Sequence, residues 1–255
     1  MTTANLPQAR FEYLLRLGDN ALILGQRLSE WCGHGPVLEQ DIAITNISLD
    51  LIGQARSIYA YAAELEGKGR SEDDIAFLRD AWDFYNVQLV EQPNEDWAYT
   101  IVRQFLFDSA NYYLYQSLTH SSDEQIKAIA EKSLKEITYH LRYSSEWMIR
   151  LGDGTELSHQ KMQTALDDLW MFSGEMLMMD ELDTLMYDLG IGADLDAIKP
   201  LVDAKRQDVI NEATLRIPEN PWMQSGGKQG RHSEFLGHML SDMQFIQRAY
   251  PGMTW

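Results

Sequence analysis

Apolar residues along the chain recur at intervals of three and four, most clearly between residues 37 and 66. On a helix of that span Ile44, Ile47, Leu51, Ala55, Ile58, Ala62 and Leu65 form one stripe, and Leu38, Ile42, Leu49, Ile52 and Tyr59 form a second. A helix apolar on two sides is expected to lie centrally. The same period, punctuated by Pro36, Pro93, Pro200, Pro218, Pro221 and Pro251, predicts helices over 11–32, 37–66, 72–91, 95–118, 123–151, 158–188, 195–216 and 232–249. Residues 94–151 contain neither Gly nor Pro, as a pair of long helices requires, and the turn between them is Thr119-His120-Ser121-Ser122-Asp123. No β-branched run alternates with period two. The expected fold is all-α. The polar stretch 218–232 reads as an ordered loop rather than a linker, because a helix follows it, so one domain over 1–255 is expected.

Composition narrows the partners. The chain has 255 residues, enough for a well-buried core, and 39 acidic against 21 basic side chains give a net charge of −18. Such a polyanion repels phosphate backbones, so no nucleic-acid partner is expected. Cys32 is alone and can make neither an internal disulfide nor a zinc site, which fits a reducing cytoplasm. The longest stretch free of charged residues, 109–122, is short and mostly polar, so no membrane span is expected. The N-terminal MTTANLPQARFEYLLRLGD lacks a signal-peptide core. A cytoplasmic protein is the expectation.

Common catalytic motifs fail. There is no G-x-S-x-G elbow, P-loop or G-x-G-x-x-G fingerprint. A di-metal carboxylate centre in a helical bundle needs a Glu from each of two helices and E-x-x-H from each of two others, since i and i+3 share a helix face. An acidic residue three before a His occurs once, at Glu156 and His159, about the number chance would give. It follows Gly152-Asp153-Gly154-Thr155, where capping by Thr155 or Ser158 is the simpler reading.

Several segments resemble one family in combination. They are Leu17-Gly18-Asp19-Asn20, the run from Gln26 through Trp31-Cys32-Gly33-His34, NISLDLIGQAR from Asn46 to Arg56, Val90-Glu91-Gln92-Pro93-Asn94, and Tyr139-His140-Leu141-Arg142. The C-terminal Gly226-Gly227-Lys228-x-Gly230-x-His232, leading to Pro251-Gly252-x-x-Trp255, completes the set. These resemble the C-subunit family of bacterial phenylacetyl-CoA epoxidases, over nearly the whole chain. The resemblance implies a ferritin-like four-helix bundle core with additional helices. It also implies a pair of related subunits, one holding a di-iron centre and binding substrate, the other metal-free and structural. This chain resembles the second: no cofactor of its own, with the di-iron in the homologous catalytic partner and a reductase supplying electrons to the complex. The complex as a whole epoxidises the ring of phenylacetyl-CoA.

If 11–32, 37–66, 95–118 and 123–151 are the four core helices, their midpoints should keep relics of a metal site. The first offers Asp19 or Asn20; the second offers Asp50-x-x-Gly53 or, in the other register, Leu51-x-x-Gln54. The third offers Asp108, with Asn111 three residues on, and the fourth offers Glu136-x-x-Tyr139 followed by His140. Asp108 falls on the stripe Trp97, Ile101, Phe105, Tyr112, Tyr115, where an unpaired carboxylate would be costly. Arg56, Arg103, Arg142, Tyr139 and His140 are its candidate partners. A polar network of Asp50, Asp108, Glu136, Tyr139 and nearby groups is expected in the space a di-iron centre fills in a catalytic relative.

Three surface features are also open to more than one reading. The run Met171, Met176, Met178, Met179, Met186 suits core packing or a subunit interface. The clusters Asp73-Asp74, Asp167-Asp168 and Asp180-Glu181-x-Asp183 suit solvated helix faces or steering of a basic partner such as the reductase. The basic loop 226–232 with Lys228, Arg231 and His232 could hold coenzyme A phosphates, dock on a partner, or cap the last helix. Rivals to the structural-subunit reading are an independent di-iron or di-manganese oxidase with degenerate ligands, and a helical adaptor unrelated to oxygen chemistry.

Overall fold

The computed structural model describes residues 6–219 and 222–253; Pro221 and Trp255 lie outside them. Every helix and turn among the described residues fits the expected all-α, ferritin-like fold, and no strand occurs among them. The chain falls into two compact units, one of residues up to 93 together with those from 226 onward, the other of residues 94–225.

The first unit is built on a helical hairpin. Helix α1 (Leu6–Ser29) starts five residues before the expected position, because Pro7 sits in the first turn, where a missing N–H leaves no bond unmade. It stops at Ser29 rather than 32, where Trp31 and Cys32 turn back on the carbonyls of Leu28 and Ser29. Helix α2 (Leu38–Glu66) has acidic residues in its first turn and ends at Gly67, whose φ of 67° places it in the left-handed region that terminates helices. The two helices run antiparallel, since Gly25 meets Ser48, Leu51 and Ile52 while Gly18 meets Tyr59. At Gly18 a Cβ would stand 2.4 Å from the Tyr59 ring, so only glycine lets that ring lie against α1. The inner stripe of α2 is solvent-free from Ile44 to Ala62.

The expected helix over 72–91 is broken. Helix α3 (Glu72–Phe77), closed by a Ser71–Asp74 capping box, is followed by a 3₁₀ turn at Ala81–Asp83 and the single-turn α4 (Gln88–Glu91). Between them the backbone is extended at Phe84 and Val87 because side chains of α1 take its amide hydrogens. The C-terminal helix likewise divides into α10 (Glu234–Met243) and α11 (Phe245–Ala249) at Gln244, whose side chain donates to Ala76 O at 3.2 Å and Arg79 O at 3.0 Å.

The second unit contains α5 (Trp97–Leu118), α6 (Glu124–Gly152), α7 (Glu156–Leu169), α8 (Glu181–Asp188) and α9 (Leu195–Glu212). Asp96 and Asp123 cap α5 and α6, each accepting two backbone N–H groups of the first turn. Helix α5 packs against α6, α7 and α9, which buries polar as well as apolar side chains on it: Thr100, Arg103, Gln104, Asp108 and Ser109 are all closed to solvent. The expected helix over 158–188 is interrupted by 3₁₀ turns at Trp170–Phe172 and Glu175–Leu177, with Gly174 pressed onto Met223 between them. Thr155 and Ser158 form a capping box at the start of α7, and His159 Nδ1 lies 2.8 Å from Gly152 O, so the Glu156 and His159 pair belongs to a helix entrance.

Candidate functional site

In the first unit, Asp19 is fully buried near the middle of α1. Its Oδ1 accepts from Tyr59 Oη and Arg79 Nη2, and its Oδ2 accepts from Arg79 Nη1 at 3.1 Å and Tyr85 N at 2.8 Å. The Arg79 guanidinium stacks 4.1 Å from the Phe84 ring centroid and donates to Ile75 O and Asp83 O. Burial pushes the Tyr59 phenol well above its ordinary pKa, and the Asp19 carboxylate pushes it further. Burial pulls Arg79 down, but Asp19 and Tyr59 outweigh it and the net shift is upward. Tyr59 therefore stays a hydrogen-bond donor and Arg79 a cation. Asn20, half-buried, accepts Val87 N at 2.8 Å. The side chains expected as metal-site relics on α1 thus hold segment 84–87 in its extended shape. On α2, Gln54 is buried and Asp50 half-buried, and neither is among the groups that hold Asp19.

In the second unit, Asp108 is buried as the aromatic stripe requires. Its partners are Gln104, which donates to Oδ1 at 2.8 Å, and Ser144, which donates to Oδ2 at 2.8 Å. Burial raises its pKa from 3.8 to about 6, opposed by the nearby His140 and by the two donors. His140 is fully buried, whereas Tyr139, one residue earlier and so turned about 100° around α6, is 39% exposed. Tyr139 stacks with Tyr143 and lies under the guanidinium of Arg142 at 5.6 Å. Glu136 is half-buried and its charge faces Tyr115, whose hydroxyl is raised by burial first and then by Glu136. Arg103 donates to Asn94 Oδ1 at 2.6 Å, while Arg142 is mostly exposed. In this unit the structure therefore gathers Asp108, His140, Gln104 and Ser144, and places Tyr139 outside that group. Gln104 was missed as a partner, although its place one turn before Asp108 on the same helix face was a signal for it. Ser144 carried no comparable signal.

A buried carboxylate–histidine contact was missed in the first unit. Glu91, with no exposed surface, accepts Ser233 N at 2.7 Å and Asn86 Nδ2 at 3.3 Å, and lies 3.1 Å from His232 Nδ1. The basic loop folds back onto residues 82–91: a Cβ at Gly227 would stand 2.3 Å from Asn86 O, and one at Gly230 would stand 2.8 Å from Trp82 O. Lys228 is buried, Arg231 is exposed, and the Arg231 carbonyl accepts from Gln88 Nε2 at 2.8 Å.

The second apolar stripe of α2 does not follow the first inward. Tyr59 is buried, but Leu38, Ile42, Leu49 and Ile52 are 72%, 53%, 60% and 37% exposed, an open face about 20 Å long at 1.5 Å per residue. Among the methionines, Met176 and Met186 are buried and Met178 is exposed. The acidic clusters do local work, since Asp74, Asp180 and Asp183 belong to capping boxes and Asp168 accepts from Tyr99 Oη. No described helix is long and apolar enough to cross a membrane.

The donor set does not fit a di-metal centre: each oxygen of Asp19 and of Asp108 accepts from a protein donor, and neither carboxylate belongs to a ligand cluster of acids and histidines among the described residues. Among the described residues no group of three or more His, Cys, Asp or Glu side chains converges to hold a metal ion.

Comparison with known proteins places these features in context. A protein-family model described as "Phenylacetic acid catabolic protein" matches residues 1–255. The chain is 49% identical over 243 residues to the C subunit of 1,2-phenylacetyl-CoA epoxidase from Escherichia coli (strain K12), covering 95% of this chain and 98% of that protein.

Proposed function

This chain belongs to the phenylacetic acid catabolic protein family, and from that premise we propose that it is the non-catalytic, structural subunit of a phenylacetyl-CoA epoxidase complex. In this reading it pairs with a homologous di-iron catalytic subunit and stabilises it, and the complex serves aerobic phenylacetate degradation. The name of the Escherichia coli relative, a lettered subunit, supports a place among other subunits.

The observation that carries the reading is the state of the buried carboxylates. Each is held by protein donors rather than by a cluster of ligand side chains: Asp19 accepts from Arg79, Tyr59 and a backbone amide, and Asp108 accepts from Gln104 and Ser144. A di-iron centre belongs in this account to the partner subunit, where it would activate oxygen. The open face of α2 supports the pairing: Leu38, Ile42, Leu49 and Ile52 advance by four, seven and three positions, the spacing of a seam that another helix can fill. Obligate interfaces between subunits are apolar surfaces of this kind.

Co-expression with the catalytic subunit tests the pairing. The tagged chain should retain that subunit through purification, and the Leu49→Lys, Ile52→Lys double variant should release it while keeping its helical circular dichroism. Retention of the partner by the charged variant would remove α2 from the interface.

A further inference from the structure

The ring of His232 presents a protonation problem with one solution. Its side chain is 5% exposed, and both ring nitrogens face oxygen acceptors, Nδ1 toward Glu91 Oε2 at 3.1 Å and Nε2 toward Phe84 O at 2.8 Å. A neutral imidazole has one N–H and would turn a bare lone pair toward one of those oxygens; an imidazolium donates to both. The surroundings favour the cation. Glu91 on α4 supplies the adjacent carboxylate, and Asp19 on α1 adds a more distant negative charge. The opposing cations are otherwise directed: Arg27 on α1 donates to the Glu91 backbone carbonyl and to Glu30, and Arg231 in the loop is exposed. Lys228 is the remaining cation of the loop and is buried in it. Burial alone would lower the affinity of the ring for its second proton, but the bonds to Glu91 and Phe84 O and the charges of Glu91 and Asp19 outweigh it, so the pKa is raised.

The same residues fasten a whole loop. Ser233 N and His232 both bind Glu91, Gln88 holds the Arg231 carbonyl, and Gly227 and Gly230 press backbone on backbone against Asn86 and Trp82. Contacts that close leave little room for a half-seated loop.

We propose that His232 and Glu91 form a proton-dependent latch that keeps loop 226–233 seated on residues 82–91 while the ring is an imidazolium and releases it when the ring loses a proton. A raised folded-state pKa means that seating is strongest below the free histidine value of 6.5 and weakens as pH rises through the folded value, levelling once the ring is neutral in both states. The loop is therefore tight in mildly acidic solution and looser in alkaline solution. This inference does not depend on the partner proposed above.

Nitrogen-15 NMR of the His232 ring in the full chain, with hydrogen exchange of the loop amides, tests it. At about pH 6 both ring nitrogens should carry protons, which is the state the geometry requires. The amides of Gln229, Gly230, Arg231 and Ser233, bonded to Gly226 O, Gly227 O, Gly226 O and Glu91 respectively, report seating. Their protection factors should fall about tenfold or more between about pH 6 and about pH 9, beyond any change in α2. Glu91→Gln should start with lower protection in the loop and lose most of the pH dependence. A ring with a single N–H at about pH 6, or loop protection that stays level across the range, would overturn the proposal, and the ring measurement on the unaltered chain decides even if the variant folds poorly.

Discussion

Asp19 and Arg79, 60 positions apart in the chain, form an ion pair closed to solvent, with side-chain exposures of 0% and 5%. The pair fixes the first unit in a way that neither α1 nor segment 72–91 could achieve alone, because Asp19 also takes the Tyr85 amide and Arg79 also takes two carbonyls. Its value lies in complete satisfaction, and removing one partner leaves a buried charge uncompensated. Arg79→Met should therefore cost about 3–5 kcal/mol of stability in urea unfolding. Tyr59→Phe, which removes one donor to the Asp19 carboxylate and one acceptor of Arg79, should cost about 1.5–3 kcal/mol.

Asp108 should give the second unit a pH-dependent stability of opposite sense to a salt-bridged acid. Its folded pKa of about 6 lies above the unfolded value of 3.8, so folding favours the protonated form. The group contributes nothing adverse below about pH 4, costs progressively more as pH rises between the two values, and costs its full amount above about pH 6, roughly 3 kcal/mol at 1.36 kcal/mol per pH unit. Asp108→Asn should raise stability at neutral pH and flatten this part of the profile, since Ser144 and Gln104 can turn to suit an amide. Asp108→Leu should cost about 1–3 kcal/mol by orphaning those two groups. Urea midpoints at several pH values separate these outcomes.

The glycines of the C-terminal loop set its seating by size. Gly227→Ala would place a methyl 2.3 Å from Asn86 O, a backbone atom that cannot swing aside. The expected loss is about 1–3 kcal/mol with faster proteolysis at the loop. Gly237→Ala, where a Cβ meets nothing within 4 Å, should be neutral or slightly stabilising and serves as the comparison.

The two stripes of α2 should respond unequally to mutation. Leu51→Ala, in the solvent-free stripe, should lower stability by about 2–5 kcal/mol. Leu49→Lys, two positions away and 60% exposed, should change the stability of the isolated chain by no more than about 0.5 kcal/mol.

Much of the fold was legible in the sequence. Period and punctuation located α1, α2, α5, α6 and α9, and the Asp caps of α5 and α6 stood where the pattern placed helix starts. The failures share a cause. Segments 72–91 and 158–188 carry helical periodicity, but tertiary partners override it: Asn20 accepts an amide 67 positions away, and Gly174 packs on Met223. Pattern alone does not show that an N–H will bond to a distant side chain rather than to the carbonyl four residues back. The same limit applies to the polar sites. Asp108 stood out as an acid on an apolar face and Asp19 as an acid at a helix midpoint, but nothing in the pattern marked Arg79, Tyr59 or Ser144 as their partners, because what pairs them is the packing of helices. The second stripe of α2 implied burial, and the chain by itself leaves it open.

The proposed division of labour is tested most directly by purifying the chain alone and with the di-iron subunit, with size-exclusion chromatography and iron determination on every peak. The expected result is an iron-free peak for the chain alone and a single mixed peak in which iron follows the amount of the catalytic subunit. Stoichiometric iron on the isolated chain, or two subunits that elute apart, would contradict it.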